Sequence, residues 1–379
     1  MTRTLEILDR LIAFPTISAE SNLALIDYVQ GLLQAAGAET VRLLSPCGQK
    51  AGLFARIGAG SGGVCLSAHT DVVPVAGQKW STAPFKLTAR GDRLLGRGTT
   101  DMKGFLASAL ACVERAAQLQ LAEPLTLVIS YDEEIGCVGI RQMMPQLEPL
   151  LGDPRAVIVG EPTSMQVAIG HKGKVALRVT CQGETGHSAL APEFRNAIHL
   201  AADFVTAMRA LQDDLAQGAC DSAYSIPYST IHIGKIAGGT ALNIVPDLAQ
   251  IDMEFRHLAQ VDPAALRSLI ETKARQISQR YNAPNAIQVA KVNAYFGLGT
   301  LPEAPVVTWA QQLTGGTAIT KVAFGTEAGF FANLGLPVVV IGPGDMAADG
   351  HQPDEGLNQA ELFRCDAFMD RLLLDLKAP

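Results

Sequence analysis

Five short stretches of this chain place a metal-binding side chain beside glycine or at the end of an apolar run. His69-Thr70-Asp71 closes the run VCLSA. Asp101 lies in Gly96-Arg97-Gly98-Thr99-Thr100-Asp101-Met102-Lys103-Gly104, just ahead of a long helical pattern. Asp132-Glu133-Glu134 follows LTLVISY, and Glu161 follows VIVG. His351 opens His351-Gln352-Pro353-Asp354-Glu355 after the apolar stretch LPVVVIGPG. Oxygen and nitrogen donors without cysteine suit a catalytic zinc site better than a structural one. Two imidazoles and three carboxylates cannot fill two separate four-coordinate sites. They suffice if one carboxylate is shared between two ions, an arrangement used in hydrolysis.

The spacing adds detail. Residues two apart on a strand share a face, so Asp71 can orient the His69 imidazole. Three consecutive carboxylates at 132–134 are costly to hold together without a cation. Adjacent side chains diverge, so one Glu can bind metal while its neighbour serves as a base. Each stretch also has an ordinary reading: Asp101 as a helix N-cap, His69 and Asp71 as a strand end with a turn, and 132–134 as a solvated loop. Recurrence favours a site, because five strand ends of one parallel-type sheet would each deliver one donor.

The elements that must position these residues follow from periodicity. Helical spacing covers 3–13, 21–36 (ending at Gly37), 102–120 and 358–376, and VVTWAQQLTG is also helical. The runs 64–71 and 125–134 suit strands buried on both faces. Alternating strands and helices predict an α/β sheet flanked by helices, with its site beyond the carboxyl edge. The middle differs: strand 174–183, helix 195–213, strands STIHIGKIAGG and LAQIDMEFR, helix 263–280, then a strand near 286–292. That order is β-α-β-β-α-β, the ferredoxin-like arrangement. The expectation is an α/β protein with a discontinuous catalytic domain, 1–172 and 293–379, built on a mostly parallel sheet. An inserted ferredoxin-like α+β domain would span 173–292.

Composition excludes several classes. With 379 residues, 48% of them hydrophobic, two domains are expected. A net charge of −7 argues against a nucleic-acid partner. No apolar run reaches the roughly 18 residues of a membrane span. Glu6, Asp9 and Arg10 interrupt what would be the apolar core of a signal peptide. Seven scattered cysteines with no CxxC pair read as reduced thiols in a cytoplasmic protein. Cys65, inside an apolar run, reads as a buried structural residue. The glycine-rich stretch 58–63 precedes a strand instead of linking strand to helix, so it reads as a turn and not a phosphate loop.

Taken together, H-T-D, G-R-G-x-x-D-M-K-G, D-E-E-x-G, G-E-P-T and G-H-x-P-D-E resemble the aminoacylase/carboxypeptidase family of dizinc hydrolases over essentially the whole chain. Within it, the motifs resemble the branch that cleaves acetylornithine. The resemblance implies two zinc ions per subunit, with cobalt able to substitute. His69 and Glu161 would bind one ion, Glu134 and His351 the other, and Asp101 would bridge them across a cis Asp101–Met102 peptide. Asp71 would orient His69, and Glu133 would be the general base for a metal-bridged hydroxide. The implied reaction takes N2-acetyl-L-ornithine, a small N-acyl amino acid, to L-ornithine and acetate in arginine biosynthesis.

The resemblance also implies a homodimer in which the inserted domain serves for dimerisation and as a lid. His187, in Gly186-His187-Ser188, would reach the partner's site. Asn243 and Arg256 match the substrate-carboxylate region. Arg256 fits a carboxylate bidentately, though a plain surface arginine is the equal alternative. Gly325, Thr326 and Glu327 resemble the acetylornithine branch, with Glu327 reading the cationic side chain. His171-Lys172 reads as a hinge. The rivals are succinyl-diaminopimelate desuccinylation, broad N-acyl-amino-acid deacylation or dipeptide cleavage, and metal binding without turnover. Glu133 beside Glu134 speaks against the last, because binding alone needs no spare base.

Overall fold

The computed structural model of the protein describes residues 2–378, which divide into two compact units. The first holds the chain up to Gly170, Thr300–Val322 and the chain from Thr326 onward; the second holds His171–Gly299 and Ala323–Gly325.

The first unit is built on one sheet. Its strands include β1 (Glu39–Leu44), β2 (Ala51–Ile57), β3 (Val64–His69), β4 (Leu125–Ser130), β5 (Ala156–Val159), β6 (Val167–His171) and a later strand, Val338–Val340. They lie in the order β1-β2-β4-β3-β5-(338–340)-β6. The centre is parallel: β4 with β3, β3 with β5, and β5 with 338–340. The flanks are antiparallel, at β1–β2, β2–β4 and 338–340 with β6. Every residue of β3, β4 and β5 is buried, as strands covered on both faces require.

Helices α1 (Arg3–Ile12), α2 (Leu23–Ala35), α3 (Gly104–Ala116) and α4 (Val138–Leu151) cover the sheet together with Gln359–Leu376. Helix α3 is buried along almost its whole length, between α1 and 359–376. It approaches β5 closely at Gly160, where a Cβ would lie 2.0 Å from the Phe105 ring. A small three-stranded sheet, 88–90, 93–95 and 356–358, stands apart from the main one. Periodicity did not announce it, because its strands have three residues each. Strands β1, β2 and β6 and helix α4 are further elements beyond those expected from the sequence.

The second unit runs β7 (Gly173–Gln182), α5 (Ala197–Ala216), β8 (Thr230–Gly238), β9 (Leu248–His257), α6 (Pro263–Arg280), β10 (Ile287–Tyr295). The sheet order is β8-β9-β7-β10, antiparallel throughout, which is ferredoxin-like topology. Strands β7 and β9 alternate buried and more exposed residues. Their inner faces (Val175, Leu177, Val179, Ile251, Phe255) pack with Leu200 and Phe204 of α5 and with Leu266 and Ile270 of α6. Side chains of Asn196 and Asp262 cap the two helices, and Pro263 occupies the first turn of α6. No helix among the described residues is long and apolar enough to cross a membrane.

Candidate active site

The carboxyl ends of the parallel strands converge on a cluster that is largely buried, with His351 half exposed at its edge. His69 is the last residue of β3 and is 1% exposed. Its Nδ1 faces the Asp71 carbonyl at 3.0 Å and the Asp71 carboxylate at 3.5 Å. That contact leaves Nε2 facing Asp101 Oδ1 at 3.1 Å and Glu161 Oε1 at 3.8 Å. His351 Nε2 faces the other Asp101 oxygen at 3.3 Å and Glu134 Oε2 at 2.9 Å. Asp101 therefore lies between two imidazole–glutamate pairs and offers one oxygen to each.

Backbone contacts hold this arrangement. The Asp71 carboxylate accepts the backbone N–H of Glu133 at 3.0 Å and of Glu134 at 3.2 Å. Ser18 Oγ donates to it at 2.7 Å. Asp132, in the left-handed region at φ 52°, accepts from Ala19 N and is clasped by Lys50 Nζ at 2.5 and 2.6 Å. The carboxylate run at 132–134 thus splits three ways. Asp132 anchors the loop, Glu134 faces His351, and the Glu133 carboxylate accepts from Cys137 Sγ at 3.2 Å.

The five donors do not all stand at strand ends of one sheet, as the spacing suggested. His69, Glu134 and Glu161 follow β3, β4 and β5. Asp101 instead lies in the helical turn Thr99–Lys103, after the small-sheet strand 93–95, and His351 lies in a loop after the four-residue helix Met346–Asp349. The His351 segment is reached from the fourth parallel strand, 338–340, through that short helix, whereas Asp101 is reached from the small sheet. The Asp101–Met102 peptide is cis.

The charge balance is one-sided. Burial, reinforced by neighbouring carboxylates, holds Glu133 and Glu161 well above the usual carboxylate range. Burial and Asp101 push Glu134 up to about 7. Burial opposes charge on His69, yet Asp101 and Asp71 outweigh it and hold the imidazole well above its ordinary value. Asp101 and Glu134 raise His351 to about 10. So many buried carboxylates around two imidazoles are what bound cations would relieve. Donor atoms of His69, Glu133 and Glu161 lie within 4.8 Å of one another, as do those of His69, Asp101 and Glu134. The donor set, all nitrogen and oxygen, fits a pair of divalent ions.

Of the remaining sequence-selected residues, Thr326 and Glu327 belong to the first unit and are buried. Ser67 Oγ donates to Glu327 Oε2 at 3.4 Å, while Oε1 has no hydrogen-bond partner among the described residues. The others belong to the second unit. His187 is exposed, its Nδ1 accepting from Ala189 N at 3.0 Å. The exposed Asn243 accepts the Ser188 N–H through its backbone carbonyl. Arg256 Nε donates to Glu254 at 3.0 Å. Gly325 is pressed against Tyr295, whose ring a Cβ would approach to 2.2 Å. His171 is buried, and Lys172 Nζ donates to the carbonyls of Ile226 and Tyr228.

Residues 65–375 match the model of peptidase family M20/M25/M40. The chain belongs to that family. This M20 chain is 35% identical to acetylornithine deacetylase of Myxococcus xanthus, over 96% of its own length and 95% of that protein's. Its fold matches the M20 metallo-carboxypeptidase Sso-CP2 of Sulfolobus solfataricus with TM-score 0.79 and 20% identity, covering 98% of this chain and 99% of that one. It also matches a dinuclear metal-binding M20 peptidase of Bacillus subtilis with TM-score 0.69 and 16% identity, covering 99% and 98%. The M20 chain is a metal-dependent hydrolase of the deacylase and peptidase kind, and its residues offer candidate ligands for metal.

Several residues that organise this M20 site escaped sequence reasoning: Ser18, Lys50, Cys137 and Glu355. Ser18 and Lys50 lie far from the motifs in sequence and carried no signal. Cys137 lies three residues past Glu134, and Glu355 closes the His351 motif, so proximity could have flagged both.

Proposed function

We propose that this M20 enzyme hydrolyses N2-acetyl-L-ornithine to L-ornithine and acetate, using two zinc ions per subunit for which cobalt can substitute. The observation that carries the reading is Asp101, with one oxygen toward His69 and Glu161 and the other toward His351 and Glu134. His69 and Glu161 would hold one ion, His351 and Glu134 the second, and Asp101 would be shared. When bound, the ions would supply Lewis acidity, lowering the pKa of adjacent water and polarising the scissile carbonyl.

The chain's own groups do the rest. Asp71 occupies His69 Nδ1 and so presents Nε2 for ligation. Glu133, which faces neither imidazole closely enough to pair with it, would take a proton from the attacking water and deliver it to the leaving nitrogen. Burial raises its basicity well above that of an ordinary carboxylate, the direction that role requires. Two features support ornithine as the product: the 35% identity to an acetylornithine deacetylase, and the unpartnered Glu327 Oε1, an acceptor suited to an ammonium group. Asn243 and Arg256 would receive the substrate carboxylate, with the Arg256 guanidinium as its charged partner, and Gly325 and Thr326 would bind substrate beside Glu327.

We further propose a homodimer in which the second unit mediates pairing and serves as a lid, with His187 stabilising the partner's tetrahedral oxyanion. Exposed Ile236, Leu242, Ile244 and Leu248 on that unit support pairing. Seven free cysteines support a cytoplasmic, reducing setting. The test is a set of initial rates on acetylornithine, succinyl-diaminopimelate and acetylmethionine with added zinc or cobalt. Acetylornithine should turn over fastest by at least tenfold; equal rates on all three would point to the broad deacylase reading.

A further inference from the structure

Glu355 is a carboxylate with 1% exposure, outside the donor cluster, and it is engaged on every side. Its Oε1 accepts the backbone N–H of Thr100 at 2.9 Å and of Asp101 at 3.1 Å. Its Oε2 accepts the Gly98 N–H at 3.0 Å and Arg97 Nη1 at 2.8 Å. The Arg97 guanidinium, also 1% exposed, donates to Gln78 Oε1 at 2.5 Å and to the Gln352 carbonyl, and lies 5.0 Å over the Trp80 ring. Gln78 Nε2 in turn donates to the His351 carbonyl at 2.8 Å. The small sheet holds the framework, because Gly356 pairs with Leu95, and the Gly96 N–H reaches the Glu355 carbonyl.

We infer that Glu355, with Arg97, is a positioning residue that gathers the loop bearing Asp101 and the loop bearing His351 into one frame. Asp101 follows the small-sheet strand 93–95, and His351 lies beyond the helix Met346–Asp349 that follows strand 338–340, so neither stands at a strand end of the main sheet that would fix its position directly. A buried charge pair with four hydrogen bonds to one carboxylate replaces that missing constraint. The inference rests on the two-metal reading above, and it concerns only how Asp101 and His351 are held.

The test uses the full chain, stripped with a chelator and reloaded with Co(II) alone. Wild type should take up two equivalents and show a visible cobalt absorption spectrum. Glu355→Gln removes the charge and turns one acceptor into a donor. It should retain Co(II) about 10- to 100-fold less well against a chelating competitor and show shifted absorption bands. Glu355→Asp should recover part of both, and it is read in place of Glu355→Gln if the latter fails to fold. Leu372→Ala, a core truncation on helix 359–376, should lower the melting temperature while leaving the cobalt spectrum unchanged. A Glu355→Gln spectrum and retention equal to wild type would overturn the inference, as would an equal spectral change in Leu372→Ala. A wild-type chain that takes up no cobalt would instead refute the two-metal reading itself.

Discussion

Replacing Glu327 by Gln should make the metal-free protein more stable, and increasingly so as pH rises. The Glu327 carboxyl is 1% exposed, and burial raises its pKa from 4.5 to about 7. In the unfolded chain it returns to 4.5. Between these values the folded state binds the extra proton, so stability is fully present below about 4.5 and is lost as pH rises through about 7. At about 1.36 kcal/mol per pH unit, that interval corresponds to ~3 kcal/mol. Gln does not titrate and never incurs the loss. Glu133 acts in the same direction, since Glu327 raises its carboxyl too. The assay is urea unfolding of chelator-treated wild type and Glu327→Gln at pH 5, 6, 7 and 8. The variant's advantage should grow by a few kcal/mol across the series. Two curves that run parallel from pH 5 to 8 would show that Glu327 does not carry a buried, destabilising charge.

Lys50→Met should leave Asp132 buried without its partner and cost about 3–5 kcal/mol of stability, because both side chains of that pair are about 10% exposed or less; denaturant midpoints check it. Metal uptake should release protons, since Asp101 and Glu134 hold His351 charged up to about 10 and it must be neutral to ligate. Affinity should therefore fall as pH is lowered from 8 to 6, and titration calorimetry in buffers of different ionisation enthalpy reads the proton count.

Much of the site was legible in the sequence because strands buried on both faces write themselves as continuous apolar runs. The chain turns polar at or within two residues beyond the ends of β3, β4 and β5, and these ends locate His69, the 132–134 loop and Glu161. Asp101 and His351 were visible as residues but not as positions, since their loops are organised by three-residue strands too short to show a period. The ferredoxin-like unit was legible through alternation in β7 and β9, which have one buried face. What local pattern cannot reveal is long-range polar anchoring. Ser18 meets Asp71 across 53 residues and Lys50 meets Asp132 across 82, and neither pairing leaves a trace at short range. Glu327 was singled out for its type, but its near-complete burial follows from tertiary packing.

The central claim separates two adjacent glutamates, Glu133 as proton carrier and Glu134 as ligand. The direct measurement is bound metal and turnover, side by side, for Glu133→Gln and Glu134→Gln. Glu133→Gln should keep both ions and lose about 10²–10⁴-fold in kcat, whereas Glu134→Gln should lose metal. A Glu133 oxygen lies within 4.8 Å of donor atoms of His69 and Glu161, so the two roles could be exchanged. If Glu133→Gln lost an ion while Glu134→Gln kept both, the assignment of base and ligand would be reversed.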